Sequence, residues 1–418
     1  MDDNDHGTHC AGIAAADGEL KGVAPGASLY AYKVLNSDGF GALSDIIAAV
    51  EASLDPNSDG NLDDSTDVIS LSLGTEGQEI DNPLDVAINN AVDSGVIVVA
   101  AAGNSGPDNN TIFTPGTAAK AITVGAYCME HQIGVEYHCD SSYIASFSSR
   151  GYANIYNKPD IIAPGVEINS TIRDSQYGTE SGTSTAAPHV AGTAALLKQK
   201  NPSWGPLEIK AALEKSANSF GYRRNVEGAG KLNASAAITI NNTSVALIES
   251  VSGLKLEIVD MYKRGAVGGA VELKGTVSGD DFSYYNIEWG IGLNPDLWSK
   301  DHIELANNGT IEINNSTLGV WNASLLDEDF YILRLEAYNS QDQLLSSDYI
   351  YVYVDHVMLI KPVDNSIVDQ SMVEVFGTVN PKNFVSYNVS LYDQYDICLL
   401  YTSPSPRDLS TYRMPSSA

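Results

Sequence analysis

VIVVAAAGNSG, Val96–Gly106, is the stretch on which the fold turns. It begins with an unbroken apolar run and shows no polar alternation, which suits a strand covered on both faces rather than one with a wet side. Asn104 then follows a glycine at the carboxyl end, where the ligand-binding groups of such sheets collect. The preceding NPLDVAINNAVDSG (Asn82–Gly95) predicts a helix with Pro83 in its first turn. Leu84, Ala87, Ile88, Ala91 and Val92 form its apolar stripe, and Gly95 ends it. SLYAYKVL (Ser28–Leu35) reads as a strand leading into the helix SDIIAAVEASL (Ser44–Leu54), and DVISLSLG and AITVGAY read as further strands. Strand and helix alternate from Leu29 to about Ile240, which predicts an α/β layered domain with a mainly parallel sheet. After GAGKLNASAAI (Gly228–Ile238) the helical periodicity fades, and short alternating strands take over as far as Ile397.

The chain has 418 residues, of which 43% are hydrophobic, so it has room for two or three domains with a sizeable core. A net charge of -30 argues against nucleic acid and anionic membrane as partners. No apolar run approaches the roughly 18 residues of a membrane span. Met1 is followed by two aspartates, the wrong chemistry for a secretory leader.

VELKGTVSGDDFSYYNIE (Val271–Glu288) aligns without gaps on VEVFGTVNPKNFVSYNVS (Val373–Ser390), including the Gly-Thr-Val and Tyr-Asn pairs. A repeat of about 100 residues with alternating strands predicts immunoglobulin-like β-sandwich modules. The second copy stops at Ile397, and CLLYTSPSPRDLSTYRMPSSA (Cys398–Ala418) resembles the in-frame translation of a sequencing-library adapter. The expected division is an α/β layered domain over 1–240 and a linker over 241–265. A first sandwich repeat would span 266–355, a truncated second one 356–397, and a non-biological tail 398–418.

Three segments carry chemistry. HGTHCAG (His6–Gly12) leads into small residues suited to a closely packed helix. AAAGNSG (Ala100–Gly106) ends the buried strand on Asn104. ESGTSTAAPHVAGTAALLKQK (Glu180–Lys200) sets Ser184 at the start of a helix, where free N–H groups and the helix dipole favour developing negative charge. Singly, each has an ordinary reading as a loop His, a turn Asn or an N-cap Ser. Together and in this order, with GVAPGASLYAYKVL, ISLSLG and DIIAPG between them, they resemble the subtilisin-like serine proteases over Asp2 to about Ile240.

That resemblance implies a serine endopeptidase acting on polypeptides. Ser184 would be nucleophile, His6 general base and then acid, and Asn104 with the Ser184 N–H the oxyanion donors. His9 and His189 would be structural. Substrate would lie as an extended strand beside Gly39–Gly41 and Ser72–Gly74. The first specificity pocket would be walled by Ser72, Leu73 and Gly74 and by Ala101, Ala102 and Gly103. Phe113 would take the floor, where many relatives keep a small residue, so small side chains before the scissile bond are expected. Thr114–Pro115 falls where the family has a cis proline. Thr185 replaces a common Met beside the nucleophile and removes an oxidisable thioether.

The family order is Asp, His, Ser, and its Asp lies upstream on a strand of its own. Asp2, Asp3 and Asp5 are too close to His6 in sequence to reach the ring nitrogen facing away from Ser184. The chain is therefore expected to carry a dyad. Met1 is expected to be an internal methionine, with the central strand, a propeptide and a signal peptide upstream. In subtilisin itself, loss of that Asp alone lowers turnover by about 3 × 10⁴.

DPNSDGNLD offers oxygen side chains at Asp55, Asn57, Asp59, Asn61 and Asp63 with Gly60 at the turn, matching most of a calcium loop. Thr66 stands where a bidentate Glu would close it. The resemblance favours structural Ca2+ over a merely solvated turn. Cys128 and Cys139 bracket CMEHQIGVEYHC and read as a disulfide, with a zinc site using His131 and His138 as the alternative. Cys10 reads as a buried free thiol. The leading function is a secreted or cell-surface endopeptidase. The alternatives are an inactive pseudoprotease scaffold and a cell-surface or carbohydrate binder using Trp289, Trp298 and Trp321.

Overall fold

The structure, a computed structural model, describes residues 2–76, 82–130, 139, 141–153, 155–252, 254–259, 262–293, 295–355, 357–361, 372–379, 387–392, 398–403 and 412–415. The chain divides into two compact units. One comprises Met1–Leu247, Val277–Tyr284 and Glu336–Ile350; the other comprises Ile248–Thr276, Tyr285–Leu335 and Tyr351–Ala418.

In the first unit the elements run α1 (His6–Ala15), α2 (Leu43–Leu54), β1 (Val68–Leu71), α3 (Pro83–Asp93), β2 (Ile97–Ala101) and β3 (Ile122–Cys128). There follow β4 (Tyr143–Ile144), β5 (Gly151–Ala153), β6 (Tyr156–Lys158), β7 (Ile161–Pro164), β8 (Ile168–Ile172), β9 (Gln176–Glu180), α4 (Thr183–Lys200) and α5 (Pro206–Ser216). β1, β2, β3 and β7 lie side by side and parallel, and β4 adds antiparallel at the end of β3.

The expected double-sided burial of Val96–Ala102 is borne out, and it makes three layers. Ile97, Val99 and Ala101 face Ala187, Val190, Ala194 and Leu197 of α4 and Ile209 and Leu213 of α5. Val96, Val98 and Ala100 face Ile46 and Val50 of α2 and Leu84, Ile88, Ala91 and Val92 of α3. Each Val, Leu or Ile side chain so taken from water contributes about 1.5–3 kcal/mol, and each Ala less. Pro83 opens α3, as the sequence pattern predicts, and Asn82 caps it by accepting from Leu84 N.

Ser28–Leu35 departs from expectation. Among the described residues it takes no strand partner, and Leu29 and Tyr30 are 58% and 68% exposed. β-branched and aromatic residues make a segment fit for a sheet, but only a neighbouring edge makes it a strand. Among the described residues the edge of β1 away from β2 is also unpaired.

The interval expected as a linker holds β10 (Ser244–Val251) and β11 (Lys255–Val259), because Val245, Leu247, Ile248 and Val251 are buried. The strands continue as β12 (Tyr262–Val267), β13 (Ala270–Gly279), β14 (Tyr284–Ile291), β15 (Ile303–Leu305), β16 (Ile313–Asn322), β17 (Phe330–Tyr338) and β18 (Leu344–Val354). They form sheets in the orders β10-β13-β16-β15 and β11-β12-β18-β17-β14. Trp321 is fully buried with its ring edge-on to Tyr331, so it is core and not a surface platform.

Further on lie β19 (Val357–Lys361), β20 (Met372–Val379), β21 (Tyr387–Tyr392), β22 (Cys398–Ser403) and β23 (Tyr412–Pro415). The two aligned repeat segments place strands in matching positions, β13 with β20 and β14 with β21. In the tail from Cys398, β22 pairs with β21 and β23 with β20.

Candidate active site

α1 carries His6 in its first turn and is locked down by hydroxyls from β8. Ser170 Oγ donates to His9 O at 2.8 Å and Thr171 Oγ1 to Thr8 O at 3.1 Å. Gly12 permits this approach, since a Cβ there would overlap both hydroxyls. His9 is wholly buried, and its Nε2–H is shared between Ile168 O at 2.9 Å and Gly178 O at 3.2 Å. The structural reading of His9 therefore describes what it does here.

Cys10, one turn beyond His6, places His6 and the Ser184 segment in one neighbourhood. Its Sγ is 3.9 Å from His6 Nε2 and 3.4 Å from Ser184 O. Burial pushes the thiol pKa up to about 12, so Cys10 stays protonated and is no nucleophile. Ser72 Oγ also donates to Ser184 O, at 2.6 Å. The segment expected to wall the pocket thus also anchors the turn that bears Ser184.

Thr183 and Ser184 open α4. Asn104 stands just past the end of β2, and its Oδ1 accepts from Thr183 N at 2.9 Å and Thr183 Oγ1 at 3.1 Å. Both acceptor contacts fix the amide, so Nδ2 turns toward the serine. A Cβ placed on Gly182 would lie 2.9 Å from Ser184 Oγ, 3.5 Å from Asn104 Nδ2 and 3.6 Å from Ser184 N. A hydroxyl and two N–H donors therefore converge on one small space that glycine leaves open. That is the arrangement an acyl-transfer site requires.

Phe113 does more than occupy a floor. Its ring lies 2.7 Å from where a Cβ on Gly103 would be and 3.5 Å from one on Gly74. The two wall segments thus have an aromatic ring between them. Gly103 has φ +108, a left-handed conformation that glycine tolerates without strain. Thr114 and Thr117 hold the following turn by donating to the two oxygens of buried Asp85, each at 2.6 Å. Burial raises the Asp85 pKa, with both hydroxyls opposing the shift. The Thr114–Pro115 peptide is cis as expected, and so are Gly106–Pro107 and Lys158–Pro159. Gly39 has φ +83 in a turn closed by Asn36 Oδ1, which accepts from Asp38 N and Phe40 N at 3.0 Å each.

No carboxylate contacts His6 among the described residues. Asp2 accepts from Asn4 N, Asp5 N, Thr8 N and Thr8 Oγ1. Burial acts to raise its pKa, but these donors hold it well below the usual carboxylate range. Asp3 lies 3.1 Å from Lys33 Nζ, and Arg173 pairs with Asp5 and lowers its pKa.

His189 donates from Nδ1 to Thr185 O at 3.0 Å, and burial pushes its pKa down to about 4. The unfolded chain therefore takes a proton between about pH 6.5 and 4 that the folded chain refuses. Stability from this group is fully present above 6.5 and falls as pH drops through that window. Urea midpoints at pH 7 and pH 5 should differ more for the parent than for His189→Gln.

The acidic loop closes on itself. Asp55 accepts from Asp59 N and Gly60 N, Asn57 Oδ1 from Asp59 N, and Asp59 Oδ1 from Asn61 N. Asn61 and Asp63 are exposed, and the side chain drawn in is instead Asp64. Its Oδ2 accepts from Asn57 N at 3.2 Å, and its Oδ1 is buried with no hydrogen-bond partner. Among the described residues, no three His, Cys, Asp or Glu side chains stand close enough to hold a metal. The all-oxygen donor set and the orphaned Asp64 oxygen suit a hard cation such as Ca2+. Cys128 and Cys139 form a disulfide with Cα atoms 6.3 Å apart, while His131 and His138 lie outside the described residues.

Residues 1–238 match the model of the subtilase family, peptidase S8. The chain belongs to that family. Serine protease AprX of Bacillus subtilis (strain 168) is 43% identical, over 57% of this chain and 58% of AprX. Subtilisin BL of Lederbergia lenta is 44% identical, over 57% of this chain and 78% of that protein. Among solved structures, sphericase is 36% identical with a TM-score of 0.49, covering 56% of this chain and 78% of its own. The chain thus spans under two thirds of AprX and about three quarters of subtilisin BL. No helix among the described residues is long and apolar enough to cross a membrane.

Proposed function

We propose that this subtilase is a serine endopeptidase that cleaves polypeptides through an acyl-enzyme. The observation that carries the reading is the space beside Gly182, bounded by Ser184 Oγ, Ser184 N and Asn104 Nδ2. Ser184 attacks the carbonyl, His6 takes its proton and returns it to the departing amine, and the two N–H donors receive the oxyanion. Peptide lies extended along Gly39–Gly41 and Ser72–Gly74, spending main-chain hydrogen bonds on affinity. A fluorophosphonate probe should label the protein at Ser184 and leave Ser184→Ala untouched; equal labelling of both would sink the reading.

That no carboxylate contacts His6 among the described residues favours one other reading, a pseudoprotease scaffold. In that case Ser184 stays unlabelled although the protein is folded.

Phe113 restricts the first pocket to small side chains. Phe113→Gly is expected to raise kcat/KM on a peptide with Phe before the scissile bond by at least tenfold relative to its Ala counterpart. One to two kcal/mol of pocket contact is the usual range for such swaps. A parent enzyme that prefers Phe would refute the restriction.

Asp55, Asn57, Asp59 and Asp64 would hold Ca2+, which would neutralise a loop of like charges and tie it shut. Melting should fall in excess chelator and recover with added Ca2+; an unchanged midpoint counts against the site. The Cys128–Cys139 bond supports a secreted or cell-surface location, since such bonds persist in oxidising surroundings. The strands beyond Ser244 are read as immunoglobulin-like sandwich repeats.

A further inference from the structure

An acid in the first turn of a helix ordinarily turns back to cap that helix. In α3 this place is taken, since Asn82 accepts from Leu84 N. Asp85 instead reaches out to a segment 29 and 32 residues further on, where Oδ1 accepts from Thr114 Oγ1 and Oδ2 from Thr117 Oγ1. All three side chains are buried. The cation whose field reaches Asp85 is Lys158, and that ammonium is hydrogen-bonded to Asp160 and to Ala121 O. Two hydroxyls are thus what holds this buried carboxylate, an arrangement that costs folding free energy an apolar side chain would not. What the carboxylate supplies in return is direction, because it fixes two hydroxyls of one turn at once.

That turn begins at Phe113. Phe113 N donates to Ala102 O at 2.9 Å, and Thr114 N donates to Thr75 O at 3.1 Å and Thr75 N to Thr114 O at 3.0 Å. These backbone bonds tie the segment to both walls and set the line along which the main chain runs. The Phe113 ring lies so close to Gly103 and Gly74 that a Cβ on Gly103 would be 2.7 Å from it. A small roll of the segment about its line would move the ring out of that gap. We propose that Asp85 is a positioning residue for substrate selection: by holding Thr114 and Thr117 it keeps the Phe113 ring between the Gly74 and Gly103 walls. It thereby limits the side chain accepted before the scissile bond without touching substrate. This inference rests on the endopeptidase reading and the pocket assignment above. Without the carboxylate, two buried hydroxyls lose their acceptor, and the turn shifts to satisfy them elsewhere and takes the ring with it.

The test uses two peptides, identical except for Ala or Phe before the scissile bond, and reads the Phe-to-Ala ratio of kcat/KM within each variant. A general loss of activity cancels in that ratio. Asp85→Ala should raise it about tenfold over the parent, the scale on which a pocket discriminates a few methylenes. Asp85→Asn keeps one acceptor oxygen and should fall between the two. Thr114→Val cuts the same tether from its other end at nearly constant volume, and should also raise the ratio about tenfold. It decides the matter if Asp85→Ala does not fold. In a Phe113→Gly background, adding Asp85→Ala or Thr114→Val should move the ratio by less than about twofold, because the ring through which Asp85 acts is gone. A merely structural role would give equal effects in both backgrounds. A ratio unmoved by Thr114→Val or by folded Asp85→Ala, or one that rises as much with Phe113→Gly in place, overturns the inference and leaves the endopeptidase reading intact. A ratio that Phe113→Gly alone does not change overturns the pocket assignment and this inference with it. No cleavage of either peptide, together with an unlabelled Ser184, overturns the endopeptidase reading and all that rests on it.

Discussion

Asn104→Ala is expected to lower kcat by about 10²–10³ with little change in KM. That magnitude is the one known for the oxyanion Asn of subtilisin, a member of the same family, and is not deduced from this geometry. What the geometry supplies is the reason the effect should fall on kcat. Asn104 Oδ1 is held by Thr183 N and Thr183 Oγ1, so the side chain cannot turn its oxygen toward the substrate. Nδ2 is left aimed at a space that a neutral carbonyl fills poorly and an oxyanion fills well. Ala102 and Gly103, just before it, keep their buried backbone contacts, and Gly103 N still reaches Thr183 Oγ1 at 3.1 Å. The variant should therefore melt within a few degrees of the parent. Steady-state rates on an Ala peptide check the expectation. A loss smaller than tenfold in kcat would remove Asn104 from the oxyanion site.

The layered domain was legible because its central strand needs no partner to be recognised. An apolar run from Val96 to Ala102 can only be covered on both faces, and the helices on either side announce themselves by stripe and cap. The candidate site was legible for a different reason: His6, Asn104 and Ser184 each lie in a motif, and the order of the motifs restricts the fold. What escaped depends on partners distant in the chain. Asp85 looks like an ordinary first-turn acid of a helix, yet it is buried under Thr114 and Thr117. Ser28–Leu35 has strand residues but, among the described residues, no strand beside it. Asp63 and Asp64 carry the same chemistry one position apart, and only the folded loop distinguishes the exposed one from the one with a buried oxygen.

Gly182→Ala should separate activity from stability more cleanly than any change to a reactive side chain. Gly182 has φ 164 and ψ 166, an extended conformation that alanine also adopts. Gly→Ala at a compatible site restricts the unfolded chain and stabilises by about 0.4–1 kcal/mol. Its backbone bonds would persist, since Gly182 N donates to Gly165 O and Gly182 O accepts from Thr185 N. The added methyl, however, would stand 2.9 Å from Ser184 Oγ and 3.5 Å from Asn104 Nδ2, between the proposed nucleophile and the proposed oxyanion donor. Either Ser184 Oγ shifts away, or the substrate carbonyl is kept out of the space it must enter. A displacement of about 1 Å at the reacting atoms costs on the order of 10² in rate. The expected result is an unfolding midpoint equal to or above that of the parent, with kcat/KM and fluorophosphonate labelling both reduced by about 10². Labelling at the parent rate would mean that the reacting carbonyl does not pass beside Gly182, and the proposed acyl-transfer geometry would have to be abandoned.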